Sequence, residues 1–215
     1  WTKYYFSSST WDDSNDGLTP ETAKRRWYVA QQIFNTMNPW DGVLLKRGDV
    51  WSANDSTESD MKALYYVVNW TEENPKILTS YWEGKRPILD WLKDQSSASW
   101  TYLWKVNGLD TWETMPYNET KKISTVYINW KKVLGTYIMN DFNFWSKWKY
   151  AHDYSGTWKL YTHINPNNNK FEWSNSTSVV AYSTDSTYLH IKHIEVKNAR
   201  QYSIVTSWNS IWTEI

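Results

Sequence analysis

At 215 residues the chain is long enough for one substantial domain with a buried core. Lys plus Arg and Asp plus Glu both total 23, so the formal charge is zero and no basic stripe stands out to neutralise phosphates, which argues against nucleic-acid binding. Cys is absent, which excludes disulfides and thiolate metal sites, and no run of about twenty apolar residues is present to span a membrane.

In chain order, Tyr4, Tyr5 and Phe6 favour a strand. Asp12 to Gly17 (DDSNDG) is rich in residues that bond their own backbone or tolerate positive φ, which predicts a loop. Thr19 and Pro20 resemble a helix N-cap and first helical position, with Glu21 placed against the helix dipole. Ala23, Trp27, Ala30, Phe34 and Met37 follow at helical spacing and predict one apolar face, ended by Asn38 and Pro39. Residues 1–40 therefore read as a strand, a loop and a capping helix.

Beyond residue 40 the chain reads as strands and turns. Val43 to Lys46, Lys76 to Thr79, Pro87 to Leu89, Thr125 to Ile128 and Leu160 to Thr162 are short, β-favouring and bounded by polar, Gly or Pro residues. Near the end, Phe171-Glu172-Trp173-Ser174-Asn175 and Ile194-Glu195-Val196-Lys197-Asn198 share one pattern at an offset of 23 residues. Ala181 and Ile204, and Tyr188 and Ile211, match at the same offset. A period of that length predicts an all-β solenoid, a right-handed parallel β-helix over 41–215, with the N-terminal helix covering its open end. The chain ends at Ser210 to Ile215 without a closing cap, so the solenoid is expected to be truncated there.

The N-terminal run carries a resemblance. Tyr4 to Ser8, the DDSNDG loop, Leu18 to Ala23, and Asp41 to Trp51 (DGVLLKRGDVW) resemble the opening of secreted right-handed parallel β-helix proteins of the pectate lyase-like superfamily. Ser80 to Gly84 with Arg86 to Ile88 resembles a second coil, and Tyr202 to Ile215 a later one. The resemblance implies the N-terminal part of an extracellular or cell-surface carbohydrate-active protein, either a polysaccharide lyase or a glycoside hydrolase. It equally admits a non-catalytic adhesin or a phage tailspike-like receptor-binding protein, because one fold hosts many functions. A polysaccharide or surface glycan is the implied partner, and calcium enters through the resemblance alone.

The sequence departs from that pattern systematically. Trp stands where the family has Gly at Trp11, Trp40, Trp70, Trp82, Trp91, Trp130 and Trp208. The chain holds 18 Trp and 7 Gly, and that glycine content is about half the usual roughly 7%. Turns of this kind need Gly because it reaches φ > 0 without steric cost. One explanation is a gene that reads UGA as glycine, translated with UGA as tryptophan. Trp51, Trp100, Trp112 and Trp148 sit in apolar surroundings and read as genuine. Aromatic richness is therefore no sign of sugar stacking.

Candidate chemistry is sparse. Asp12, Ser14, Asp16 and Gly17 match the first half of a calcium loop, but the twelfth position is Ala23, so a self-bonded turn is preferred over a metal site at Asp12 and Asp16. His190 and His193 would face opposite sides of a strand, and His152 with Asp153 reads as a solvated loop pair. In the expected solenoid Glu195 and Lys197 share an outward face, with Glu172 one coil below Glu195. These three are the catalytic candidates, set against a solvated ladder of charges. Sequons at Asn54, Asn69, Asn118 and Asn175 are no more numerous than the Asn, Ser and Thr content alone predicts.

Overall fold

The computed structural model describes the chain apart from residues 10–11, 53–74, 96–97, 104–108, 115–124, 134, 138–149, 153–158, 175–177, 182–188, 199–201 and 206–215. All four sequons, Trp11, Trp70, Trp148, Trp208, Asp153 and the Tyr188–Ile211 match lie outside the described residues. The elements in chain order are β1 (Lys3–Phe6), α1 (Trp27–Thr36), β2 (Gly42–Lys46), β3 (Val50–Ser52), β4 (Lys76–Tyr81) and β5 (Ile88–Asp90). Next come β6 (Lys93–Asp94), β7 (Thr101–Tyr102), β8 (Trp112–Thr114), β9 (Thr125–Ile128), β10 (Lys131–Val133), β11 (Gly135–Tyr137), β12 (Tyr150–His152), β13 (Leu160–Thr162) and β14 (Phe171–Ser174). The chain closes with β15 (Ser178–Ala181), β16 (Leu189–Ile191), β17 (Glu195–Lys197) and β18 (Tyr202–Val205). It divides into two compact units, Trp1–Trp91 with Thr177–Ile215, and Leu92–Ser176.

The first unit is built on parallel pairs. One sheet runs β1-β2-β4-β16 and a second runs β3-β5-β17, all parallel. β15 and β18 form a separate parallel pair. Between the sheets and α1 lies a core containing Phe6, Trp27, Phe34, Val43, Leu45, Trp51, Leu78, Leu89 and Trp91, to which Leu189 and Ile191 are added from β16. Alternation explains the selection: Val43 and Leu45 on β2 lie two apart and point to one face, as do Leu189 and Ile191.

The exposed edge of β1 is covered by the loop that follows it. Tyr5 N–H donates to Gly17 C=O at 2.7 Å, Ser7 N–H to Lys24 C=O at 2.8 Å, and Lys24 N–H to Tyr5 C=O at 3.0 Å. Gly17 sits at φ 74°, a backbone angle that favours glycine, and a Cβ there would press on the Lys24 side chain at 3.3 Å.

The helix begins later than Thr19 predicts. Thr19 and Thr22 close a tight turn, with Thr22 N–H donating to Thr19 C=O at 3.2 Å, and helical geometry starts at Trp27. The residues leading into it are held by a remote carboxylate. Asp13 Oδ1 accepts from the N–H groups of Arg25 and Arg26, both at 2.9 Å, and Asp13 Oδ2 pairs with Arg26 Nε at 2.6 Å. The carboxylate thus fixes the two residues that lead into the helix, from twelve and thirteen positions upstream, and sets a negative charge near the positive end of the helix. The end falls where Asn38 and Pro39 predict, with Met37 N–H donating to Ile33 C=O.

The second unit is mainly antiparallel. One sheet runs β10-β9-β14-β6, and the other β11-β12-β13-β8-β7, in which only β11–β12 is parallel. Leu160 of the second sheet packs with Val126, Ile128, Phe171 and Trp173 of the first, and Trp100 joins them at the margin.

These sheets correct the expected architecture. A right-handed parallel β-helix over 41–215 is not what forms: the described strands make five separate sheets, none closed, and antiparallel ladders occupy 92–176. The offset of 23 does not stack strands either. β14 pairs antiparallel with β9 and β6, while β17 pairs parallel with β5. β15 and β18 do pair, but in a register where Val180 meets Ile204 and Ala181 meets Val205, one residue from the match of Ala181 with Ile204. The physical reason is that alternation of apolar and polar residues marks any half-buried strand, parallel or not, so two similar pentapeptides do not define a repeat.

One buried charge links α1 to the first sheet. Lys76 is 1% exposed, and its Nζ donates to Phe34 C=O at 2.7 Å and Asn35 C=O at 3.4 Å, in the last turn of α1. A cation there meets the negative end of the helix dipole. Burial nevertheless dominates and pushes the Lys76 ammonium down to about 8, with Asp41 pulling weakly the other way. The unfolded chain then holds this proton more tightly, so stability is constant below about pH 8 and rises above it. Between pH 8 and 9.5 the Lys76 contribution to the unfolding free energy from urea denaturation is expected to rise, by at most about 1.4 kcal/mol per pH unit. A Lys76→Met variant should lose that rise, and an identical slope in both proteins would contradict the assignment.

Candidate functional site

A polar cavity of about 410 Å³ opens on the second unit, lined by Gln95, Ala98, Ser99, Thr101, Glu113, Thr114 and Lys159. Its wall follows from strand pairing. Thr101 and Tyr161 both lie directly opposite Glu113 on the flanking strands, so the three residues share one face of the sheet. Lys159 lies two residues before Tyr161, on that same face by alternation, and reaches diagonally to Glu113. Its Nζ donates to Glu113 Oε1 at 2.9 Å and Oε2 at 3.0 Å, with both side chains partly buried. The floor is tied down by Thr114 Oγ1, which donates to Ser99 C=O at 2.7 Å. Trp112 and Leu160 occupy the alternate positions of their strands and are buried on the other face.

Only Ala98 in that lining is apolar. The volume falls within the roughly 300–1,000 Å³ of small-ligand sites, and the lining residue types are mostly polar where such sites are mostly apolar.

Glu172, a catalytic candidate from the sequence, sits on the outward side of β14 between Phe171 and Trp173, which are buried in the core. It lies opposite Tyr127 on β9 and Asp94 on β6. Lys170 Nζ bridges the two carboxylates, 2.7 Å from Glu172 Oε1 and 3.5 Å from Asp94 Oδ2. The bond to Glu172 is the main cause that holds the Lys170 ammonium above the usual lysine range. Glu172 Oε2 is buried and makes no hydrogen bond.

Glu195 and Lys197 share an outward face as expected, and pair at 3.0 Å with both side chains nearly half exposed. Glu172 does not lie below Glu195, because their strands belong to different sheets of different units. The neighbour of Lys197 on β5 is Asp90, whose Oδ1 accepts from Asn198 Nδ2 at 2.8 Å. This is a solvated charge pair on a strand surface.

The loop that resembles half a calcium site already has a cation. Lys24 Nζ donates to Asp13 C=O at 2.9 Å and, more closely, to Asn15 C=O. Asp12 Oδ1 accepts from Ser14 N–H at 2.8 Å, and bonds from Ser14 hold its carboxyl below the usual range. Asp16 Oδ1 accepts from Leu18 N–H and Thr22 Oγ1, which lower its carboxyl likewise. Backbone carbonyls and carboxylates that a calcium ion would use are engaged within the loop. His193 is exposed and His190 half-buried. Among the described residues no three His, Cys, Asp or Glu side chains group as metal ligands do.

Glu113, Lys159, Asp94 and Lys170 were not singled out by sequence reading. Alternation around Trp112-Glu113-Thr114 was visible, but which strand would bring Lys159 to Glu113 was not.

No family model matches the chain, and no curated protein matches it. Among solved structures it is similar to the GH136 lacto-N-biosidase from Eubacterium ramulus, both the native crystal structure and its selenomethionine derivative. The identity is 28% over 43% of this chain, with a TM-score of 0.33. The chain spans 14% of that enzyme's length. A likeness of that extent assigns neither a fold nor a residue role.

Replacing Lys24 with Met removes two charge-assisted bonds to carbonyls, and is expected to destabilise the protein by about 1–3 kcal/mol in urea unfolding. Millimolar calcium should leave the unmodified protein's melting temperature unchanged. A calcium-dependent rise would show that the loop is a metal site after all.

Proposed function

We propose that the protein is a carbohydrate-active module that binds a glycan through the cavity beside Glu113 and Lys159. The observation that carries this reading is the cavity wall: six of its seven lining side chains can form hydrogen bonds. A sugar presents hydroxyl groups that both donate and accept. Gln95, Ser99, Thr101 and Thr114 are residue types that do both, while Glu113 accepts and Lys159 donates. The wider class of partner in this reading is a polysaccharide or cell-surface glycan, and the setting that suits it is outside the cell or at its surface.

Binding is favoured over cleavage. Glycoside hydrolysis in its common form needs one carboxyl group that is protonated and able to donate. A carboxyl group already bonded to a lysine must first give up that contact. Glu113, Glu172 and Glu195 each pair with a lysine, at 2.9 Å, 2.7 Å and 3.0 Å.

Titration calorimetry of the protein with a panel of neutral and acidic oligosaccharides tests this. At least one should bind, and Thr101→Val with Glu113→Gln should weaken it tenfold or more with little change in melting temperature. Release of reducing ends or unsaturated products would move the reading to catalysis. No binding by any member of the panel would overturn the proposal.

A further inference from the structure

We infer that positions 40, 82 and 130 are glycine in the protein as its source organism makes it, and that tryptophan there reflects UGA codons read under the wrong code. Six non-glycine residues among those described have positive φ: Trp40, Trp82, Asn129, Trp130, His193 and Asn198. Asn and His tolerate the left-handed region, through compact or self-bonding side chains. Bulky Trp does not, yet it fills three of the six.

Each of the three has a local reason to require glycine. Asn38 to Asp41 is a β-turn closed by Asp41 N–H donating to Asn38 C=O at 3.1 Å. Pro39 is its second residue, and Trp40, at φ 71°, is its third. That is the position where a type II turn requires φ > 0 and takes Gly after Pro. The hairpin between β9 and β10 has a two-residue loop, since Ile128 pairs with Lys131. Its residues Asn129 and Trp130 stand at φ 50° and 62°. Positive φ at both central positions defines a type I′ turn, whose preferred sequence is Asn-Gly. Trp82, at φ 66°, follows the last residue of β4 and precedes the turn that holds Gly84 at φ 121°.

The side chains point the same way. Trp40, Trp82 and Trp130 are 45%, 60% and 73% exposed, so no core depends on them. Trp82 rests on Lys46 at 5.1 Å and Trp130 on Lys170 at 5.4 Å, contacts that any exposed ring makes with a nearby lysine. The rest of the chain supplies the control. Trp51 is buried, and its indole N–H donates to Arg25 C=O at 2.8 Å. Trp112 and Trp173 are buried as well. Trp91 corrects the sequence expectation. It is 1% exposed, packs edge-on to Trp27 at 6.5 Å, and has no positive φ, so it is a genuine core residue.

Peptide mass spectrometry of the protein from its native source decides the matter, together with the coding triplets. The expected result is Gly at 40, 82 and 130, from UGA, and Trp at 51, 91, 112 and 173, from UGG. Trp or UGG at any of the three overturns the assignment at that position. In recombinant protein, Trp40→Gly, Trp82→Gly and Trp130→Gly should each raise the melting temperature, whereas Trp91→Gly should lower it. A fall in melting temperature at all three turns would also overturn the inference.

Discussion

The first unit depends on two long-range strand registers. β16 pairs with β4 through Leu189 and Lys76, and β17 pairs with β5 through Glu195 and Ile88, each across more than a hundred residues of chain. Closing loops of that length costs only about 1 kcal/mol more than closing the shorter ones between β2 and β4, because the entropy grows with the logarithm of length. Against that, Leu189 and Ile191 bury their side chains beside Leu78 and Leu89, each gaining about 1.5–3 kcal/mol. The apolar term wins. The chain can therefore leave the first unit at Trp91, build a second unit with its own core, and return at Thr177.

The second unit places its chemistry outside that core. Trp112 and Leu160 face inward, which turns Glu113 and Lys159 outward to form the cavity wall. Phe171 and Trp173 are buried, leaving Glu172 on the opposite side of its strand with Asp94 and Lys170. Alternation thus fixes both clusters, each a carboxylate held by a lysine.

Much of the local structure was legible from residue types. β2, β4, β9 and β13 form where β-favouring runs lie between polar or Gly and Pro residues, and α1 ends at the predicted Asn38–Pro39 stop. The helix start was misplaced because Thr19 closes only a turn, while the residues leading into the helix are held by Asp13, whose role depends on tertiary folding. The architecture was not legible. Strands give the same alternation whether their partners run parallel or antiparallel, and nothing in Phe171 to Asn175 announces pairing with Thr125 to Ile128. The Gly-like turns were legible at Pro39-Trp40 and Asn129-Trp130 because turn geometry constrains its residues locally. Trp91 misled for the converse reason: Asp90-Trp91 resembles a turn dipeptide, and only the surrounding core shows what the ring does.

Native-state hydrogen exchange tests the return of the chain most directly. Lys192 N–H donates to Leu78 C=O, Glu195 N–H to Pro87 C=O, and Trp91 N–H to Lys197 C=O, at 2.9, 2.9 and 3.2 Å. These three amides join segments on either side of the second unit. They should exchange as slowly as the amides linking β2 to β4, through one shared opening of the first unit. Exchange at the rate of an unfolded peptide, with β2 and β4 still protected, would contradict the account.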